Sequence, residues 1–358
     1  MDTLTARLEI AKWLAHPAEL GKAPKKIEFV KEFDDPEGIH CGIFRFKAGL
    51  LSPWRLIIYS DSGIFSEQEK YDPDHDIEQA QKLIDYLKQY WKNTAQNIEE
   101  RKERQTEAKP FCAFVLKSEL RFEPDLFEKN YQNLWGENLN RDTSDEELNE
   151  DKAFYSDGQG NSIILAYMPS KVPNNEAETN ATYNYYWKEA VAVTSSHKAH
   201  LIVTVMGNTT VKRRAMLYSK VLLALCQIDG NIGVYTNGVV YEPKMVLGMK
   251  NAVNKDDLPL PLLVWSGIGK APNGFDGWTN GMKQFGLSEM ELFDQPYDFQ
   301  EIQSYLILLI DYCINNDITF HDGETVGLAP GLTLKVEKSK GKNVDTDGET
   351  LKLVKVEM

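Results

Sequence analysis

The run His321-Asp322-Gly323-Glu324-Thr325 holds the densest gathering of proton-handling side chains in the chain. An imidazole with a carboxylate three residues on has the makings of a general base with an orienting partner. His321, Asp322 and Glu324 are therefore the candidate catalytic residues. The same letters also spell an Asp-Gly hairpin turn with solvated flanks, because glycine takes positive φ without steric strain. A second set, His197 and His200, reads H-x-x-H. On one helix, residues three apart share a face and can hold one metal ion, with His321, Asp322 or Glu324 as further donors. These two histidines instead straddle the junction of a predicted helix and a predicted strand. That parts their imidazoles and favours structural capping, so no metal and no cofactor is expected. A third set is Trp278 and Lys283 within a run punctuated by Gly274, Gly277, Gly281 and Gly286. They offer a stacking face and a cation to a small molecule where this segment meets the His321 turn, with Trp265 and Phe285 as the apolar wall. Ordinary tight turns would use the same glycines.

Motifs of established catalytic meaning are missing. The chain contains no G-x-S-x-G, no Walker-type loop and no H-E-x-x-H. Ser62 and Ser66 have no recognisable base nearby in sequence. The four cysteines, Cys41, Cys112, Cys226 and Cys313, stand far apart in apolar runs and read as buried reduced thiols rather than a zinc site. The net charge is -14, which argues against generic nucleic-acid binding. The start of the chain lacks a signal-peptide core, and no run of about 18 apolar residues spans a membrane. A cytoplasmic protein with no membrane partner is the expectation.

The 358 residues, 42% hydrophobic and 26% charged, have globular proportions. A helix over residues 3–15, three strands (Lys26 to Phe33, Ile39 to Lys47, Trp54 to Ser60) and an amphipathic helix over Asp76 to Trp91 make an α-β3-α unit at 1–92. A charged helical linker follows at 93–109. From Phe111 the predicted order is strand, helix (Pro124 to Trp135), two strands, helix (Glu176 to Thr194) and strand (Ala199 to Met206). That βαββαβ order predicts a ferredoxin-like start to an α+β domain covering 110–358. An insertion over Glu137 to Asp151, with seven acids and one Arg, reads as a mobile loop. Tyr183, Tyr185, Tyr186 and Trp187 fall on the predicted second helix, where Tyr183 and Trp187 would share a face for core packing or for recognition. Helices are predicted over Val211 to Ile228, Pro243 to Val253 and Phe299 to Asn315, the last buried on most sides. Strands are predicted over Leu258 to Trp265, Thr279 to Phe285 and Glu289 to Phe293, with hairpins closing the chain.

Four stretches carry a family resemblance: Pro261-Leu-Leu-Val-Trp265-Ser-Gly, Gly277-Trp278 through Phe285-Gly286, His321 through Gly327, and His197-Lys-Ala-His200-Leu-Ile-Val. Together they resemble the bacterial domain of unknown function 4261 over roughly residues 110–358, a family without an established activity. Acidity, two units and missing catalytic motifs favour a protein–protein interaction role, of an immunity-like or adaptor kind, with a basic partner protein. The rival is a hydrolase or metal-dependent enzyme using His197, His200, His321 and Glu324.

Overall fold

The computed structural model describes residues 3–16, 19–60, 63–66, 70–86, 88, 109–144, 150–329, 332–344 and 350–355. Its contacts divide the chain into two compact units, Met1–Glu99 and Glu100–Met358. The charged linker expected at 93–109 lies, Lys109 apart, outside the described residues.

In the first unit α1 (Thr3–Ala15) precedes β1 (Lys26–Asp34), β2 (His40–Lys47), β3 (Arg55–Ser60) and β4 (Gly63–Phe65), and α2 runs over 76–86. The sheet order is β1-β2-β3-β4, each neighbour antiparallel. It has four strands where three were expected. The short β4 after Ser60 has too few residues for an alternating pattern to register. Ala6, Ile10 and Leu14 of α1 bury against Phe44, Phe46 and Ile57 on one face. Ala80, Leu83 and Ile84 of α2 cover Cys41, Ile43, Leu56 and Ile58 on the other. Each large side chain buried this way contributes about 2 kcal/mol.

The second unit is also α+β. Its strands are β5 (Phe111–Lys117), β6 (Asn140–Arg141), β7 (Lys152–Ser156), β8 (Asn161–Met168), β9 (Ala199–Gly207), β10 (Asn231–Thr236), β11 (Val239–Tyr241), β12 (Trp265–Lys270), β13 (Phe275–Asn280), β14 (Met290–Gln295), β15 (Thr325–Ala329), β16 (Leu332–Ser339) and β17 (Thr350–Lys355). Its helices are α3 (Pro124–Trp135), α4 (Glu176–Ala181), α5 (Ala190–Thr194), α6 (Val211–Leu225), α7 (Pro243–Gly248), α8 (Lys250–Asn254), α9 (Leu260–Leu263) and α10 (Phe299–Asn315). They serve two sheets, ordered β11-β10-β5-β9-β8-β7-β6 and β12-β13-β14-β17-β16-β15. One continuous core joins both sheets through α3, α6 and α10, while Ala177, Ala181, Trp187 and Ala190 cover the other side of the first sheet.

The ferredoxin-like expectation is overturned. The elements follow the expected order, but a ferredoxin-like sheet would place β5 between β9 and β8. Here β9 stands between β5 and β8, antiparallel to both. Sequence order cannot distinguish the two arrangements, because both are antiparallel and bury the same alternating residues.

Local corrections have local causes. The helix expected over Glu176 to Thr194 is two short helices. Between them the Asn184 side chain accepts the N–H groups of Tyr186 (3.0 Å) and Trp187 (3.2 Å) and donates to the Val240 carbonyl (2.8 Å). An Asn that offers the backbone such partners competes with the helix. The strand expected over Leu258 to Trp265 is the helical turn α9, with Pro261 in its first turn, where its missing N–H is not needed. The strand expected over Thr279 to Phe285 ends at Asn280 and gives way to a 3-10 turn, Met282–Phe285. The acidic insertion is partly built into the sheet. Asn140 and Arg141 pair with Ser156 and Tyr155, and the Arg141 guanidinium meets Asp125 at 2.9 Å. Cys41, Cys226 and Cys313 are buried, but Cys112 is exposed, since strand alternation turns it away from the core that holds Phe111 and Ala113.

Candidate functional site

The two histidines of the H-x-x-H set are both buried around the start of β9. His197 is buried at the threshold of β9, and both ring nitrogens are engaged. Nδ1–H donates to the Thr194 carbonyl (2.6 Å) and Nε2 accepts the Val172 N–H (3.0 Å). His200, also buried, donates to the Ser170 carbonyl (2.8 Å) and meets the Phe114 ring edge-on. The two imidazoles tie the chain at 170–172 to the end of the seven-stranded sheet. Burial pushes the His200 imidazole below its ordinary value, and its Ser170 bond offsets only part of this. A depressed histidine pKa adds stability above its ordinary 6.5 that is lost as pH falls through the folded value. The exchange protection factors of residues 168–172 are therefore expected to fall on acidification below that point, and His200→Phe to remove that fall. Unchanged protection of this segment down to the carboxylate range would refute the assignment.

His321, Asp322 and Glu324 form a turn. Glu324 accepts the His321 backbone N–H (2.9 Å) and lies 3.3 Å from its Nδ1, with both side chains well exposed. Asp322 accepts the Lys338 N–H (2.9 Å), so the cluster fastens the approach to β15 onto β16. Trp278 and Lys283 are elsewhere. β13 is separated from β15 by β14, β17 and β16, and four strand spacings amount to roughly 19 Å. The Trp278 indole fills the space that a Cβ on Gly267 would need. Gly274 and Gly277 belong to the β12–β13 hairpin, and Gly281 and Gly286 flank the 3-10 turn. Trp265 and Phe285 join the core. Ser62 lies outside the described residues, and the Ser66 hydroxyl donates to the Leu56 carbonyl (2.9 Å).

Sequence reasoning passed over three buried carboxylates on β13 and around β14. Glu289 accepts the Thr279 hydroxyl (2.7 Å) and the N–H groups of Gly281 (2.9 Å) and Lys283 (3.2 Å). Burial pushes its carboxyl above the ordinary value, against the pull of those donors. It thereby fixes the turn at Gly281, whose φ of 128° lies in the region that favours glycine. Glu291 accepts the N–H groups of Lys342 (3.0 Å) and Asn343 (2.7 Å). Asp276 meets the Lys342 ammonium at 2.7 Å; burial opposes its ionisation, but this ammonium and the Asp294 N–H outweigh it and hold the carboxyl below its ordinary value. The three acids moor loops. Their signal in the sequence was acids inside an apolar strand pattern, in Phe275-Asp276-Gly-Trp and Glu289-Met-Glu291-Leu.

Residues 278–354 match the family model described as a domain of unknown function (DUF4261). The DUF4261 segment thus holds β14 to β17, the His321 turn and two of the mooring acids, within the stretch over which the sequence resembles that family. No curated protein and no solved structure matches the chain.

Two surface features remain. A cleft of about 980 Å³ has a largely polar lining with Asp256, Asp257, Asp311 and Arg213, interrupted by Tyr131, Met216, Leu217 and Leu258. Its lysines are engaged: Lys212 meets Asp317 (3.0 Å) and Lys220 meets Glu137. Beside the cleft runs α10. Its capping box, Asp298 with Glu301, starts the helix, and Ile302, Leu306, Leu309, Ile310, Cys313 and Ile314 face the core. Burial on most sides was expected, yet Ile307, Leu308 and Tyr312 are 43%, 49% and 45% exposed. Tyr312 stacks on Phe320, and Gln303 donates to the Tyr186 hydroxyl in the aromatic loop before α5. That loop sinks Tyr185 against Trp265 and Phe299 and leaves Tyr183 and Tyr186 exposed.

Among the described residues no His, Cys, Asp and Glu side chains are grouped to hold a metal ion, and no helix is long and apolar enough to cross a membrane.

Proposed function

We propose that the chain is a protein-binding module, of an adaptor or immunity-like kind, whose contact face is the α10 band together with the acidic cleft. The observation that carries this reading is the exposure of Ile307, Leu308 and Tyr312 on a helix whose opposite side is core. Contiguous apolar groups on a surface, rimmed by polar ones, mark interaction sites, and tyrosine is favoured where such sites gain most energy. Asp311 stands among these residues on the helix and also lines the cleft with Asp256 and Asp257. A partner with an apolar ridge and a basic side chain beside it fits both features, in keeping with the net charge of -14.

The test compares proteins captured from a lysate of the source cell by immobilised wild-type chain and by two variants, Leu308→Asp/Tyr312→Ala and Asp256→Lys/Asp257→Lys. A basic protein retained by wild type should fall by at least about 30-fold with the first variant, as loss of a central apolar anchor implies, and by less with the second. Capture that is equal for wild type and the α10 variant would overturn the reading.

A further inference from the structure

The first unit has a feature that the α10 reading does not use. β2 and β3 are joined by Ala48-Gly49-Leu50-Leu51-Ser52-Pro53-Trp54. The Ser52 N–H donates to the Gly49 carbonyl (3.2 Å), which makes Leu50 and Leu51 the central residues of a closed turn. Such positions usually go to Gly, Pro, Asn or Asp. Here they hold two leucines, 81% and 101% exposed.

The base of this hairpin is cationic. Lys26 pairs in register with Lys47, the Lys25 N–H donates to the Lys47 carbonyl (2.8 Å), and Arg55 bridges to Lys70. Trp54 stands among them, with the Arg45 guanidinium 4.4 Å, the Lys47 ammonium 5.2 Å and the Lys26 ammonium 5.3 Å from its ring centroid. Within this set Glu28 meets Lys26 and Arg45. In a chain of net charge -14, Lys25, Lys26, Arg45 and Lys47 gathered at the base of one hairpin outnumber the Glu28 carboxylate beside them.

We propose that this hairpin is a peripheral membrane-docking tip: Leu50 and Leu51 enter the acyl boundary of an anionic bilayer, Trp54 lies at headgroup level, and Lys25, Lys26, Arg45 and Lys47 meet anionic lipid headgroups. The order of layers is that of a bilayer surface, with apolar groups outermost, an amphipathic ring below and cations around it. Anionic lipid complements the cations, and hydrocarbon is the environment that two fully exposed leucines gain from entering. A nucleic acid would engage the cations but would leave the leucines in water, and it would find Trp54 already occupied by Arg45. The expectation of no membrane partner rested on the missing spanning run, which a docking loop does not need. The long-range charge of the chain opposes an anionic surface, so neither element suffices alone. Insertion and local charge have to act together, as two weak membrane signals commonly do.

Flotation of the full chain with phosphatidylcholine vesicles, with and without phosphatidylserine, tests this. The chain should float with the phosphatidylserine vesicles only, and less as salt is raised. Leu50→Asp/Leu51→Asp should lower partitioning at least about 100-fold, from the apolar surface returned to water. Lys26→Ala/Lys47→Ala should lower it roughly 25-fold, about fivefold per cation. Melting should be unchanged in the leucine variant, whose side chains touch no core. Three results would overturn the proposal: no flotation of wild type with anionic vesicles, flotation undiminished in the leucine variant, or Lys47-dependent binding to a single-stranded oligonucleotide tighter than to the vesicles.

Discussion

Replacing Glu289 with alanine is expected to destabilise the second unit by about 3–5 kcal/mol, the range for removing one partner from a buried charged network. The carboxylate is almost wholly enclosed and accepts a hydroxyl and two backbone N–H groups. Without it those donors face a cavity that water must enter or that must collapse, and each unpaired donor costs about 1–3 kcal/mol. Glu289→Gln keeps the shape and one acceptor oxygen, and should lose about 1 kcal/mol. The pH dependence separates charge from shape. Because burial raises the Glu289 pKa, its contribution is fully present below the ordinary carboxylate value and declines as pH rises through the folded one. The deficit of the Gln variant should therefore shrink as pH rises, since glutamine does not titrate. Urea unfolding of the three chains at several pH values provides the measurement. A Glu289→Ala loss under 1 kcal/mol would show that the 281–286 turn does not depend on the carboxylate.

The His321 cluster was legible in the sequence, whereas the mooring role of Glu289, Glu291 and Asp276 was not. Composition marks His321, Asp322 and Glu324 as a cluster because they adjoin in the chain, and adjacency is what a turn requires. The buried acids lie on neighbouring strands, and their partners at 279–283 and 342–343 come together only through strand pairing, including the parallel pair of β14 with β17. No periodicity in one segment reports such a pair. The elements themselves were more legible. The i, i+3, i+4 spacing of Ile302, Leu306, Leu309, Ile310 and Cys313 gives α10 its full length, because only one side of that helix is core. The same pattern failed to foretell exposure of Ile307 and Leu308, since an apolar residue outside the stripe reads as more burial. The sheet orders were beyond reach for a related reason: β9 buries Leu201, Val203 and Val205 whichever strand stands beside it.

His197→Ala is expected to lower the stability of the second unit by about 2–4 kcal/mol, whereas His321→Ala should change it by less than about 0.5 kcal/mol. The two residues are the same in kind and opposite in setting. The His197 ring is fully enclosed; its removal leaves the Val172 N–H without an acceptor, takes one of two donors from the Thr194 carbonyl and opens a cavity the size of an imidazole. The His321 ring stands in solvent beside Glu324, and an exposed pair of that kind adds little because water and salt screen it. The Glu324 carboxylate would still accept the backbone N–H of residue 321 in the variant, which keeps the turn closed. His197→Gln gives the intermediate case: its amide can supply one of the two bonds, so it should recover part of the loss. Urea unfolding should order the chains as wild type and His321→Ala together, then His197→Gln, then His197→Ala. Equal stability of His197→Ala and wild type would remove the anchoring role assigned to the imidazole, and a large loss at His321 would mean that its turn bears on the core.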